Sequence, residues 1–165
     1  MRVGSVLALL ACMAGSPAAA AEHQWRDYAN VRYAYQLCYP ADLMRPQPEA
    51  PNGDGRVFVG AHGARLSVWG EAADGTLTSD MVSSVALLTK GGGEITYKVV
   101  RPDWYVLSAR RGDTILYYRT RLASGVLKTF ELDYPAAEAT TWNPVVARVG
   151  TCFRSLDGPH YGRPH

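Results

Sequence analysis

Four strand-length runs in the second half of the chain, at residues 94–101, 104–110, 114–121 and 126–134, set the tightest limit on its fold. They are rich in valine, threonine and tyrosine, which suit a pleated, half-buried surface. Pro102-Asp103, Arg111-Gly112-Asp113 and Ala123-Ser124-Gly125 break them. A parallel pair of strands needs a crossover of about a dozen residues or more, and none of these breaks has room for one. Successive runs are therefore antiparallel neighbours, and the segment reads as a four-stranded meander.

The first half of the chain is read the same way. Residues 31–39 alternate, with Val31, Tyr33, Tyr35, Leu37 and Tyr39 on one face and Arg32, Ala34, Gln36 and Cys38 on the other. This predicts one strand, stopped by Pro40. Residues 41–55 carry Pro46, Pro48 and Pro51 and end in Asn52-Gly53-Asp54-Gly55, which predicts a long exposed loop closing in a tight turn. Short strands are expected at 56–59 and 65–69, split by Ala61-His62-Gly63. Over 76–90 the period changes. Met81, Val85 and Leu88 repeat at helical spacing with Leu77 and Val82 beside them, and Gly91-Gly92-Gly93 follows. An amphipathic helix of about three turns is expected, with Thr78 or Ser79 as its cap. A second helix is expected from Asn143 as cap and Pro144 at the first helical position. Trp142, Val145, Val146, Val149 and Phe153 line its apolar face. Together these elements predict an α+β domain, an antiparallel sheet of about six to seven strands packed by two helices.

The amino terminus bears on compartment. Arg2 is the only charge before Glu22. Residues 3–13 form an apolar stretch long enough for a signal-peptide core and too short to cross a bilayer. Small residues from Ala18 to Ala21 follow Gly15-Ser16-Pro17, so cleavage is expected after Ala20 or Ala21. Residues 1–20 are then a leader, 21–157 a single domain, and 158–165 a disordered tail rich in glycine, proline and polar groups. Leu9-Leu10-Ala11-Cys12 resembles a lipobox and offers lipidation at Cys12 as the competing reading. Eleven residues before Cys12 leave little room for both leader regions. The expected location is periplasmic or secreted, with no transmembrane segment.

Of the three cysteines, Cys12 leaves with the leader, and Cys38 and Cys152 remain. In an oxidising compartment two cysteines most often pair. Closing so long a loop contributes about 4–5 kcal/mol in the chain-entropy description. The bridge would lay the terminal helix over the Arg32, Ala34, Gln36 face, where Ala34 leaves room. The net charge of +2 gives no strongly basic face, which argues against nucleic acid as a partner.

Several strings carry a resemblance to known proteins. They are Tyr28-Ala29-Asn30-Val31-Arg32-Tyr33 leading into Tyr39-Pro40-Ala41-Asp42-Leu43, Asn52-Gly53-Asp54-Gly55, the strand from Trp104 to Ser108, Tyr134-Pro135-Ala136-Ala137, and the helix ending in Cys152-Phe153. With the order of elements, they resemble the Mog1/PsbP-like group of small α+β domains, and within it uncharacterised bacterial secreted proteins. The resemblance implies an antiparallel sheet packed by helices. Members of the group are mostly accessory or binding proteins, and none of their functional residues is matched here.

Candidate chemistry is sparse. Ser108 lacks a surrounding GxSxG, so a triad would have to combine it with His62 and Asp54 or another loop carboxylate. Asn52-Gly53-Asp54-Gly55 has the oxygen spacing of a calcium loop, but Arg56 and Gly63 stand where ligands belong. His62 has no second zinc ligand at short spacing. Glu131 and Asp133 share one strand face, which reads as a solvated face. No metal or cofactor is expected. Tyr33, Tyr35, Tyr39, Trp104, Tyr105, Tyr117, Tyr118 and Tyr134 are read as half-buried residues, some of which could form a recognition surface. The binding residues expected are Arg45, Asn52, Asp54 and Arg56. They lie in a loop whose prolines reduce the entropy lost on ordering and whose ends carry cations. The functional expectation is a non-enzymatic extracytoplasmic binding protein with an envelope protein or peptide as partner. The alternatives are an envelope inhibitor or immunity-type protein, or a small hydrolase using His62.

Overall fold

The structure, a computed structural model, describes residues 22–157. The leader at 1–20, with Cys12, and the tail at 158–165 lie outside the described residues. Strands β1 (Trp25–Asn30) and β2 (Tyr35–Pro40) form a hairpin, and the short β10 (Arg154–Ser155) adds to the other edge of β2. A seven-stranded antiparallel sheet runs in the order β3 (Met44–Pro46), β4 (Gly55–Gly60), β5 (Arg65–Ala72), β9 (Val126–Pro135), β8 (Thr114–Ala123), β7 (Trp104–Arg111), β6 (Glu94–Val100). Helix α1 (Leu77–Lys90) carries the chain from β5 to the far edge of this sheet, and the meander returns strand by strand until β9 lies beside β5.

The meander matches the sequence reading closely. Two-residue turns link Arg111 to Thr114 and Ala123 to Val126. Ser124 and Gly125 both have positive φ, at 52° and 74°. A turn of that hand follows the natural twist of paired strands.

The amino-terminal half differs from the expectation. The strand expected over 31–39 is instead a turn followed by β2. Val31 is 94% exposed and Ala34 has φ +49°, which no strand residue adopts. The Asn30 side chain accepts a hydrogen bond from the Tyr33 backbone N–H at 2.9 Å, which turns the chain locally. Strand β1 leaves little apolar pattern in the sequence, since only Tyr28 and Asn30 of its six residues are buried. Arg32 and Ala34, expected beneath the terminal helix, lie in this turn. The Ala34 carbonyl accepts instead from the buried ammonium of Lys128 at 3.0 Å.

Both helix starts also moved. Thr76 caps α1, accepting from the Ser79 N–H at 3.1 Å while Ser79 Oγ accepts from the Thr76 N–H at 2.9 Å. Ser79 is thus the reciprocal partner three residues on, not the cap. Helix α2 (Ala139–Cys152) begins before Asn143 and contains Pro144. The hydrogen bond Pro144 cannot make belongs to the carbonyl of Thr140, an exposed residue that water can serve. Asn143 accepts from the Tyr134 hydroxyl at 2.9 Å.

Two cores result, one on each face of the large sheet. Phe58, Leu66, Phe130 and Leu132 pack against Tyr35 and Leu37 of the small sheet and Trp142, Val145, Val149 and Phe153 from α2 and its end. On the opposite face Leu77, Met81 and Leu88 of α1 cover Tyr105, Leu107, Ala109, Leu116 and Leu127. Each such side chain stabilises by roughly 1.5–3 kcal/mol on burial. Cys38 and Cys152 are joined, with a Cα–Cα distance of 5.8 Å, and fasten the last residue of α2 to β2. At Gly70 the backbone has no room for a side chain: a Cβ there would stand 2.4 Å from Tyr33 Cβ.

Candidate functional site

Helix α1 covers only part of its face, packing over β6 and β7. On the other part, Val57 and Val59 of β4 stand beside Ser67 and Arg65 of β5, which are in register with Glu131 and Asp133 of β9. No helix packs over β4 and β5 on this side among the described residues. Gln47 and Pro48 rise at its rim, and a groove of about 420 Å³ lies between them and Arg65, Ser67 and Trp69.

The rim is held in shape from below. Gln47 N–H donates to Val57 O at 2.8 Å, Ala50 N–H to Gly55 O at 3.0 Å, and Gly53 N–H to Ala50 O at 2.8 Å. Gly53 takes φ +66°, the left-handed conformation the closing turn needs. The hairpin of β1 and β2 then grips the loop: Asn30 Nδ2 donates to Gly53 O at 3.0 Å and Tyr35 Oη to Asp54 O at 2.9 Å. Tyr28 Oη donates to Glu49 Oε1 at 2.7 Å. So many ties make the rim a pre-ordered edge.

The expected binding residues separate under this geometry. Asp54 and Arg56 both line the groove, and Asn52 Nδ2 donates to Asp54 Oδ2 at 2.6 Å. The Arg56 guanidinium turns away from the groove, over the Tyr28 ring at 5.5 Å, and its Nε donates to Gln47 O at 2.9 Å. It therefore fastens the loop. Arg45 sits on β3 opposite Val59 and lines a different depression with Asp42 and Gly60. Arg65, Ser67 and Trp69 form the groove's other wall and were not singled out from sequence. Their signal was the alternation with Leu66 and Val68, which shows two faces without saying which lacks a cover.

Glu131 and Asp133 correct the expectation of a solvated face. Both are half-buried, and Asp133 Oδ1 is buried without a hydrogen-bond partner among the described residues. Burial first, and then the Asp133 carboxylate, push the Glu131 carboxyl up to about 7, while Arg111 and Arg65 pull the other way. Glu131 lines a depression together with Arg111 and the last turn of α1. Near neutral pH this pair carries less than its formal charge, and the wall beside Arg65 is less acidic than the sequence suggests.

The hydrolase constellation does not assemble. His62, at φ +53°, is exposed, and its Nδ1 hydrogen-bonds Glu138 Oε1, whose other oxygen accepts from Trp142 Nε1 at 3.0 Å. Ser108 lies on β7, opposite Tyr97 and Tyr117. Strands β4 and β7 are four spacings apart in the sheet, about 19 Å at ~4.8 Å each, so His62 after β4 does not reach Ser108. Asp54 at the head of β4 pairs with Asn52. Of the tyrosines, Tyr35, Tyr39, Tyr105 and Tyr134 are buried in the cores. Tyr105 Oη donates to Asp80 Oδ2 at 2.7 Å and meets Ser84 Oγ at 3.0 Å, and burial drives its pKa well above the usual phenol value. No group of three or more metal-ligating side chains occurs among the described residues. No helix among them is long and apolar enough to cross a membrane.

No protein-family model and no curated protein matches the sequence. Among solved structures, the chain is similar to the solution structure of cyanobacterial PsbP (CyanoP) from Synechocystis sp. PCC 6803, with a TM-score of 0.63 at 17% identity. The match covers 86% of this chain and 98% of that one. The architecture of this protein is therefore PsbP-like, an α+β fold whose antiparallel sheets are packed by two helices.

Proposed function

We propose that this chain is a non-enzymatic extracytoplasmic binding protein that presents the open half of its large sheet to an envelope protein or peptide. The observation that carries the reading is the groove beside β5, where Trp69, Arg65, Ser67 and the Asp54 loop meet on a face no helix covers. Tryptophan and arginine are the side chains that most often concentrate binding energy, because one buries much area and the other offers several fixed donors. The rim loop, already ordered by its ties to β1 and β2, loses little entropy on docking. A leader cleaved near Ala20 and the Cys38–Cys152 bridge favour an oxidising compartment outside the cytoplasm.

The test is site-directed photocrosslinking in intact cells. A crosslinker at Ser67 should capture a discrete partner, and one at exposed Val31 should not. The Arg65→Ala, Trp69→Ala double variant should fold normally and lose capture by about tenfold or more, as removal of two hot-spot residues does. Undiminished capture in that variant would remove the groove from consideration.

A further inference from the structure

On the opposite face of the large sheet, α2 leaves part of β8 uncovered. Tyr117, Arg119 and Arg121 alternate toward that side and stand opposite Leu132, Phe130 and Lys128 of β9. A cleft of about 430 Å³ opens there between β8 and the last turns of α2, and Arg154 also lines it. Three arginines thus line one cavity in a protein of small net charge.

Their donors are only partly used. Arg119 Nη1 donates to Gly150 O at 2.8 Å, an orphan carbonyl of the helix end. Gly150 permits this approach, since a Cβ there would stand 3.2 Å from that nitrogen. The Arg119 guanidinium also lies 4.8 Å from the centre of the Trp104 ring. Arg154 Nη2 donates to Gln36 Oε1 at 3.0 Å. Arg121 meets a single carboxylate, Asp103, at 3.9 Å, too long for a hydrogen bond. The Nε atoms of both Arg119 and Arg121 are buried and have no acceptor among the described residues. A buried donor left unpaired costs free energy, more so when it belongs to a charged group. Capping α2 accounts for one nitrogen of Arg119 and Gln36 for one of Arg154, which leaves other guanidinium donors of all three arginines without a hydrogen-bond partner among the described residues.

We propose that the Arg119, Arg121, Arg154 cleft binds a phosphate group. The planar fork of a guanidinium matches a tetrahedral oxyanion with two parallel hydrogen bonds, and phosphate has acceptors enough for several forks at once. Burial presses the Arg119 pKa down and the neighbouring Arg121 charge adds to it; a bound anion would offset that repulsion. The cleft lies across the sheet from the groove beside β5, so its occupancy does not depend on the reading of that groove.

Titration of the folded protein with inorganic phosphate at fixed ionic strength, followed by the Trp104 indole NMR signal, tests this. Saturable shifts are expected that chloride at equal ionic strength does not reproduce. Arg121→Gln should weaken binding by about tenfold or more, the value of a charge-assisted hydrogen bond. Arg65→Gln, on the other face, should leave binding unchanged. Arg154→Gln serves if Arg121→Gln unfolds. Vesicles of phosphatidylcholine with and without phosphatidylglycerol distinguish the sources: Arg121-dependent retention on the anionic vesicles assigns a lipid headgroup, and phosphate shifts without retention assign a soluble phosphate compound. An absence of saturable shifts, or full affinity in the folded Arg121→Gln and Arg154→Gln variants, overturns the proposal.

Discussion

The two faces of the large sheet are built on different plans. On one, α2 and the small sheet close over a core of aromatic rings. Phe153 lies 5.1 Å from Phe130 and 6.4 Å from Tyr35, and Tyr39 lies 4.4 Å from Phe58. A disulfide and a fully buried lysine reinforce it. On the other, α1 alone covers a smaller core whose deepest tyrosine, Tyr105, needs Asp80 and Ser84 to satisfy its hydroxyl. There the cover stops short, leaving the wall of Arg65, Ser67 and Trp69 exposed or half-exposed. More side chains are buried on the closed face than on the open one, which carries polar groups that a core would not tolerate.

The largest effect expected from this contrast is at Phe153. Phe153→Ala should destabilise by about 3–5 kcal/mol in chemical denaturation, whereas Met81→Ala at the border of the α1 core should cost about 2 kcal/mol. Equal losses would mean that the two faces contribute alike and would break the comparison. Next, replacing both Cys38 and Cys152 by serine should lower stability by about 2–5 kcal/mol and loosen α2 before the meander, as hydrogen exchange would resolve. If exchange instead quickens first in α1, the closed face is not where the bridge acts.

The open face should show an inverted response to pH. The Glu131 carboxyl has a folded-state pKa of about 7, above its ordinary 4.5. Its neutral form is therefore favoured by folding. That contribution is fully present below the unfolded value and is lost as pH rises through about 7. Glu131→Gln should be indistinguishable from the parent in acid and more stable than it above pH ~8, by about 1–3 kcal/mol. A variant less stable at all pH values would show that the Glu131 charge is needed in the native state.

The smallest effect belongs to the closed face. Burial works against the Asp157 charge, but hydrogen bonds from Lys128 and Ser155 outweigh it and hold the carboxyl down to about 2. Lys128 Nζ donates to Asp157 Oδ1 at 2.7 Å, joining β9 to the segment after β10. The stabilisation is present above the ordinary carboxyl value and lost as pH falls through about 2. Because Asp157 is partly solvated, Asp157→Asn should cost only about 1–2 kcal/mol at neutral pH, read from denaturant midpoints. The cost should vanish in strong acid, where both chains carry a neutral side chain at this position.

Local pattern determined the meander and most of each helix face, although Val82, expected beside the apolar face of α1, is exposed and Ser84 is buried in its place. The cysteine pair followed from the count of cysteines. Short breaks leave antiparallel neighbours no alternative, and the periods of two and 3.6 residues report directly which side chains share a face. The same patterns misled where the partner is distant in sequence. Residues 31–39 alternate like one strand, yet Asn30 and the register with β1 turn the chain at Ala34. Lys128, an ionisable residue within the last run of the meander, is fully buried, because the Ala34 carbonyl and Asp157 reach it from the two ends of the domain. Arg65, Ser67 and Trp69 line an open groove because α1 stops short of β5, and Arg119, Arg121 and Arg154 line a cleft because α2 stops short of β8. Alternation assigns a residue to a face; whether that face is covered depends on how far a neighbouring helix reaches, which only tertiary packing decides.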